Sequence, residues 1–292
     1  MVKYTVAMVN LNMAETIEVS LRSILDQIDN QYEVLIVDDG STDGSLEILA
    51  DLEEEYPELR YSVGNNDNIA EARNQSFREA RGDFILESLD ADDEYGEGIQ
   101  DFIAIFHQLQ QHIDREFYLK GHSINIASRD LMLECPYRSM TYGEDPDRWR
   151  RLFASDSIIW LQHEPFYREL NPDDETTRKQ KSRMIKTAEF RSGITLRSYV
   201  SHYFQTRKSH AALYESLFLL RPYLTALLRG RYTLPEDYER KQRLKEDIEA
   251  SHATLRELEE QYNFKFDESI LSERGREIFI ENTDQSPLTD DD

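Results

Sequence analysis

Cysteine, lysine and long apolar runs are scarce in this chain, and each shortage removes a class of protein. One of the 292 residues is cysteine, Cys135. No intrachain disulfide can form, and a reducing compartment is expected. Cys135 sits between Glu134 and Pro136 without a partner base in view, and reads as a packing residue rather than a nucleophile. No apolar run reaches the ~20 residues that cross a bilayer. The richest stretch, 211–228, is interrupted by Glu215, Arg221 and Pro222 and flanked by Arg207, Lys208, Arg229 and Arg231. Two readings stay open for it: helices packed on the main domain, or an amphipathic helix on a membrane surface. Met1-Val2-Lys3-Tyr4 enters a strand directly, so no signal peptide is expected. There is no Gly-rich phosphate loop with a P-loop lysine, which disfavours phosphatase or nucleotidyl-transfer chemistry built on such a loop.

What is abundant is acid. Asp and Glu number 58 against 34 Lys and Arg, a formal net charge of −24. That balance argues against duplex nucleic acid, where cationic side chains must displace counterions. Nine of the basic residues are lysine and the rest arginine. Acid excess with little lysine reads as adaptation to a high-salt cytoplasm, with an ordinary acidic protein as the alternative.

Strand and helix patterns alternate four times in the first 95 residues. Strands are expected at Thr5–Val9, Glu33–Val37, Leu59–Val63 and Asp83–Ser88. Helices are expected between them, two with capping-box spacing at Asn12/Glu15 and Asn68/Glu71. The pattern predicts a mostly parallel sheet flanked by helices. Further helices are expected at Ile99–His112 and Asp145–Ala154, and strands at Glu116–Lys120 and Ser157–Leu161. Residues 171–186 are polar without an apolar period and read as an exposed loop. Thr233-Leu-Pro-Glu236 is a helix start. Leu244, Ile248, Ser251, Leu255, Leu258 and Tyr262 form a short heptad seam, able to pair with another chain or fold back. Residues 283–292 are acidic and polar, and disorder is expected there.

Three acidic clusters carry the chemical signal. Val37-Asp-Asp-Gly-Ser-Thr-Asp-Gly44 and Leu89-Asp-Ala-Asp-Asp93 each follow an apolar strand, at the edge where open α/β sheets bind ligands. Asp38 and Asp39 suit a turn, or a ribose hydroxyl or base edge. Asp90, Asp92 and Asp93 offer hard oxygen ligands for Mg²⁺ or Mn²⁺, or are surface turn residues. In Gly143-Glu-Asp145, Asp145 is expected to cap the helix bearing Trp149, and a carboxylate fixed there can act as a general base.

These segments together resemble a family 2 glycosyltransferase of the inverting class with the GT-A fold. The resemblance runs through Asn10-Leu-Asn12, Val37 to Ser45, Ala72-Arg-Asn74, Ala80-Arg-Gly-Asp83, Leu89 to Asp93, Gly143-Glu-Asp145, Trp149, Arg151-Leu152 and Glu164-Pro-Phe-Tyr-Arg168, covering about residues 4–185. It implies an α/β GT-A fold with a helical C-terminal appendage: a glycosyltransferase domain over 1–190, a helical region over 191–282 and a tail over 283–292. It implies that Asp39 contacts the base or ribose of a nucleotide-sugar donor, that Asn12 and Glu15 border the base, and that Arg73 helps hold the nucleotide. Asp92 corresponds to the carboxylate that binds a divalent cation, Mn²⁺ or Mg²⁺, with Asp90 supporting it. Asp145 corresponds to the general base. Leu11 stands where an aromatic is usual and Asn68 where glycine is usual, which leaves the donor's identity open. The Arg178, Lys179, Lys181, Arg183 and Lys186 group falls where relatives approach donor phosphate or acceptor.

The function this implies is metal-dependent transfer of a sugar from a nucleoside diphosphate to an acceptor hydroxyl. The acceptor would be a glycan or lipid-linked saccharide, in cell-surface glycan or glycoprotein assembly. The setting is cytoplasmic, with peripheral association at the inner face of the membrane, no nucleic-acid partner and a homodimer through the C-terminal helices. The alternative is a non-catalytic sugar-nucleotide-binding scaffold that uses those helices for partner binding.

Overall fold

The computed structural model describes residues 2–140, 143–172, 175–191, 195–206, 208–230 and 250–283. The chain divides into two compact units: Met1–Ser139 with Pro146–Asn171 and Ser251–Asp292, and Met140–Asp145 with Pro172–Ala250.

The first unit is built on an eight-stranded sheet. Strands β1 (Tyr4–Asn10), β2 (Tyr32–Asp38), β3 (Leu59–Val63) and β4 (Phe84–Glu87) alternate with helices α1 (Ile17–Leu25), α2 (Ser45–Glu55) and α3 (Ile69–Glu79). After β5 (Asp93–Tyr95) and α4 (Ile99–Gln110) come β6 (Tyr118–Lys120), β7 (Asn125–Ser128), α5 (Arg129–Glu134), α6 (Glu144–Ala154), β8 (Ile158–Leu161) and β9 (Tyr167–Glu169). The sheet order is β10-β8-β6-β7-β4-β1-β2-β3, with β10 at His252–Ala253. Only β7 runs antiparallel to its neighbours, β4 and β6. The mostly parallel α/β sheet expected from the alternation is therefore present. Its central strands read as continuous apolar runs because helices cover both faces; every residue of β2 is buried.

Three local expectations are corrected. The first helix begins at Ile17 with Thr16 in the cap position and no side-chain cap bond, so Asn12 and Glu15 do not form a capping box. Asn68 does cap α3, accepting the N–H of Glu71 at 3.2 Å, but the Glu71 carboxylate turns away to accept the Ser139 hydroxyl at 2.7 Å. The heptad seam is not one helix. His252–Ala253 is extended and pairs with β8, and a capping box at Thr254 and Glu257 starts a new helix, α11 (Leu255–Tyr262). Leu255 and Leu258 are buried in the first unit's core with Ala253 and Phe279. The helical region expected over 191–282 is thus shared between the two units. Leu244 and Ile248, the Thr233–Glu236 start and residues 284–292 lie outside the described residues.

One buried polar pair in this core makes a pH prediction. His163 Nε2 accepts the backbone N–H of His122 at 3.0 Å, which leaves the ring proton on Nδ1, 2.8 Å from the Glu164 carbonyl. Burial, helped by His122 and Lys120, holds the His163 pKa down to about 3. A histidine with a depressed folded-state pKa is fully stabilising above its unfolded value near 6.5, and that stability is lost as pH falls toward the folded value. Urea unfolding at pH 7.5 and pH 5 is expected to show the wild type losing about 2 kcal/mol more than His163→Gln over that interval. Parallel losses in the two proteins refute it.

The second unit is helical. It contains α7 (Glu175–Arg191), α8 (Leu196–Thr206), α9 (Ser209–Phe218) and α10 (Leu220–Arg229). The exposed loop expected over 171–186 is therefore mostly helix. Its periodicity is hidden because the inward face is short and late, with Thr187, Ala188 and Phe190 buried. The rest of α7 is a charged surface, where apolar spacing gives no signal. Phe190, Tyr203, Ala212, Leu219 and Ala226 make a small separate core.

Candidate functional site

Strands β1, β2 and β4 are mutually parallel, so their carboxyl ends share one edge. Chain order reverses at β1: β2 and β3 lie on one side of it and β4 on the other. A crevice opens outside the carboxyl ends at such a switch point. The first two acidic clusters flank it.

On the β2 side, the two aspartates have different jobs. Asp38 is fully buried and its carboxylate is saturated. Oδ2 accepts Asn10 Nδ2 at 2.6 Å and the Ser41 hydroxyl at 2.7 Å, and Oδ1 accepts the N–H groups of Gly40 and Ser41 at 3.0 and 2.9 Å. It holds the turn. Asp39 is half-buried, and its Oδ1 accepts both the N–H and the Nδ2 of Asn66, at 2.8 and 3.0 Å. Oδ2 takes no hydrogen bond among the described residues, leaving one acceptor edge for a ligand. Asn66 is itself held by Gln75 Oε1 at 2.9 Å. Gly64 approaches this group so closely that a Cβ there would stand 3.0 Å from both Asp39 Oδ1 and Gln75 Oε1.

Asn12 lines the same turn from β1. It adopts a left-handed φ of 56°, a conformation asparagine tolerates. Its N–H donates to Ser41 Oγ at 2.8 Å and its Oδ1 accepts the Thr42 N–H at 2.9 Å. The Ala14 N–H donates to Asp43 Oδ2 at 2.9 Å. Two loops are clasped together, and the hydroxyls and carboxylates of the Asp38–Ser45 motif are the clasp. Glu15 is exposed nearby, with no side-chain bond among the described residues. Leu11 is 51% exposed, an apolar side chain presented to solvent beside the turn.

On the β4 side, Asp90 and Asp92 are half-exposed, while Asp93 opens β5 and is buried. The loop is anchored by its backbone: Ser20 Oγ donates to the Asp90 carbonyl at 2.9 Å, and the Asp90 N–H donates to Tyr95 Oη at 2.7 Å. The Leu170 N–H donates to the Asp92 carbonyl at 2.8 Å. The Asp92 carboxylate takes no hydrogen bond among the described residues. Arg73 reaches the loop from α3, with Nη2 4.0 Å from Asp90 Oδ1 and its guanidinium 5.3 Å from the centre of the Tyr137 ring. α3 thereby joins the two clusters: Gln75 steadies Asn66 and Asp39, and Arg73 faces Asp90.

The local field favours a cation. Burial, then the charges of Asp90 and Asp92, push the Asp93 carboxyl up to about 7, so this loop holds more negative charge than it stabilises. Among the described residues no three His, Cys, Asp or Glu side chains form a ready-made metal cage. Mg²⁺ and Mn²⁺ suit one or two carboxylates with oxygens of water and substrate phosphate completing the shell. Asp90 and Asp92 fit that donor set, and a diphosphate ligand would supply the rest.

Asp145 belongs to the second unit and is half-buried. It is the second residue of α6 and not its cap; Gly143, at φ 80°, precedes the helix. A carboxylate in the first turn still benefits from the helix dipole. Further along the same helix, within the first unit, Arg148 is completely buried. It pairs with Glu87 of β4 and donates from Nε to the Cys135 carbonyl at 2.8 Å. Tyr118 and Tyr137 both donate hydroxyls to the same Glu87 carboxylate. The Arg178–Lys186 basic group lies on α7 rather than in a loop.

Sequence reasoning did not reach Asn66, Gln75, Glu87 or Arg148. The turn Gly64-Asn-Asn-Asp67 directly after β3 was a signal for Asn66. Glu87 is a charged residue inside an apolar strand, but its partner lies 61 residues away and only the fold brings it in.

Residues 5–122 match the family profile described as Glycosyl transferase family 2. A glycosyltransferase of Bacillus subtilis (strain 168), YfnE, is 37% identical over 76 residues, 26% of this chain and 19% of that protein. Chondroitin synthase of Escherichia coli is 32% identical over 135 residues, 41% of this chain and 19% of that protein. The chain thus spans about a fifth of the length of these relatives. Glucosyl-3-phosphoglycerate synthase from Mycobacterium tuberculosis, solved with Mn²⁺, UDP and glucosyl-3-phosphoglycerate, superposes with a TM-score of 0.51 at 17% identity, over 66% of this chain and 81% of that one. That likeness establishes the shared GT-A fold.

Proposed function

We propose, from the premise that residues 5–122 make this chain a family 2 glycosyltransferase, that it moves a sugar from a nucleoside diphosphate to an acceptor hydroxyl with inversion. The observation that carries the reading is a pair of half-buried carboxylates at one switch point with oxygens that take no hydrogen bond among the described residues: Asp39 Oδ2 on the β2 side and the Asp92 carboxylate on the β4 side. Half-buried carboxylate oxygens facing one crevice are placed to accept a ligand's donors or a cation.

In this reading the Asp39 Oδ2 edge accepts a ribose hydroxyl or a base N–H, with Asn66 and Gln75 fixing its angle. Asn12 and Glu15 border the base, and Leu11 offers it an apolar surface. Arg73 supports the nucleotide's phosphate end. Asp92, supported by Asp90, would hold a divalent cation, such as the Mn²⁺ that accompanies UDP in the mycobacterial synthase. The chemistry such a cation would supply there is charge neutralisation at the departing diphosphate. Asp145 takes the proton of the acceptor hydroxyl. That oxygen forms its bond to the anomeric carbon from the face opposite the nucleotide, and the old anomeric C–O bond breaks with its electron pair leaving on the diphosphate.

The acceptor is proposed to be a glycan or lipid-linked saccharide at the cytoplasmic face of a membrane, and the acidic composition to reflect a saline cytoplasm. No helix among the described residues is long and apolar enough to cross a membrane. The scaffold alternative loses its main support, because two of its seam residues, Leu255 and Leu258, are core residues of the first unit.

A thermal-shift panel tests the donor assignment: UDP-, GDP- and dTDP-sugars with and without Mn²⁺, in high and low salt. A donor at a hundred times its Kd adds about 2.7 kcal/mol of stability by mass action. A Mn²⁺-dependent rise with one nucleotide class is expected. No rise with any donor overturns the reading.

A further inference from the structure

The second unit leaves many large apolar side chains outside its small core. Phe190, Tyr203, Ala212, Leu219 and Ala226 are buried, while six other leucines of α9 and α10 stand exposed. Leu213 and Leu217 are exposed on α9. Leu220, Leu224, Leu227 and Leu228 are exposed on α10, Leu228 by 89%. The α10 positions fall at i, i+4, i+7 and i+8, so they share one face. Tyr214 and Phe218, packed edge to face 4.7 Å apart, are also exposed on α9. Exposed apolar side chains in this number on two consecutive helices mark an interaction surface.

Charge is segregated to the same region. Residues 175–230 hold eleven Lys and Arg against three Glu, a net charge of +8 inside a chain of −24. Four of these arginines, Arg183, Arg191, Arg221 and Arg229, line an open cleft of about 460 Å³ between α7 and α10, with Thr187 and Thr225 between them. Arg191 Nε donates to the Gly230 carbonyl at 2.9 Å. The side chains of Arg183, Arg221 and Arg229 have no ion-pair or hydrogen-bond partner among the described residues. Exposed arginines with no acidic partner among the described residues offer a site for an outside anion, and guanidinium forks match phosphate geometry.

We propose that α7, α9 and α10 form a docking face for an anionic lipid bilayer, with the α9–α10 leucines entering the interface and the arginine cleft taking lipid phosphate. Amphipathic helices with arginine beside a leucine face bind at this depth, and long cationic side chains reach the headgroups from it. Anionic leaflets attract such basic segments. A symmetric pairing of two copies through this face would set +8 against +8, which charge disfavours. Duplex nucleic acid fits the arginines but leaves the leucines uncovered. The inference stands on this unit alone and does not depend on the sugar-transfer reading.

Vesicle flotation of the full chain tests it, at a salt concentration where circular dichroism shows the protein folded. Wild type is expected to float with phosphatidylglycerol vesicles, and at least about tenfold less with phosphatidylcholine. Leu224→Asp with Leu227→Asp is expected to lower flotation at least about tenfold. Arg221→Glu with Arg229→Glu is expected to remove the preference for anionic lipid. All variants should keep the wild-type dichroism spectrum, since the substituted side chains are exposed. The proposal fails if wild type does not float with phosphatidylglycerol, or if the Leu224/Leu227 variant floats as well as wild type. It also fails if that variant's only change is loss of a self-association seen in sedimentation.

Discussion

Asp92→Asn is expected to leave the protein folded and to lower sugar transfer by about two to three orders of magnitude, the scale on which fixed charge at a departing group acts. The fold should tolerate it because the Asp92 carboxylate is half-exposed and has no hydrogen-bond partner among the described residues to strand. Removing one of three clustered negative charges also relieves repulsion on buried Asp93. Asp145→Asn is expected to lower transfer by about two to four orders of magnitude, the usual contribution of a positioned general base. The two losses differ in kind. The Asp92 variant should lose the Mn²⁺-dependent thermal shift with donor. The Asp145 variant should keep it and fail only in turnover. Full transfer by either variant would remove that residue's proposed role.

Glu87→Gln is expected to be the most destabilising conservative substitution in the first unit. Arg148 is completely buried beside Glu87, so neutralising Glu87 leaves a charge in a low-dielectric core without its counterion. Breaking one side of a buried pair costs about 3–5 kcal/mol. In a protein of this size that corresponds to a fall in Tm of roughly 10 °C. Arg148→Met alone should cost a similar amount, because among the described residues it leaves the buried Glu87 carboxylate with the hydroxyls of Tyr118 and Tyr137 and no counterion. The double variant should cost clearly less than the sum of the two, since no unpaired charge remains. Additive losses in a thermal-melt cycle would show that the pair is not coupled.

How much was legible in advance follows from the range of the interactions. β1–β4 and the helices between them were readable because strand alternation and helical period are local. The capping role of Asn68 was readable for the same reason. The capping box at Asn12 and Glu15 had the right spacing and failed, because Asn12 finds Ser41 and Thr42 across the sheet edge. The seam from Leu244 to Tyr262 had the right period and failed in its second half, because His252 and Ala253 are taken as an edge strand by β8. Helix α7 was unreadable because its buried face is too short to set a period against its charged one.

The sequence by itself determined the class of fold, the two strand-end acidic clusters and the family they resemble, all encoded in runs of a few neighbouring residues. Only the tertiary structure decided which carboxylates remain available. Asp38 and Asp39 are adjacent and alike in sequence, yet the first is consumed by its own turn and the second keeps one edge open. Hydrogen-bond saturation depends on groups that arrive from other strands and helices, and no local pattern records it.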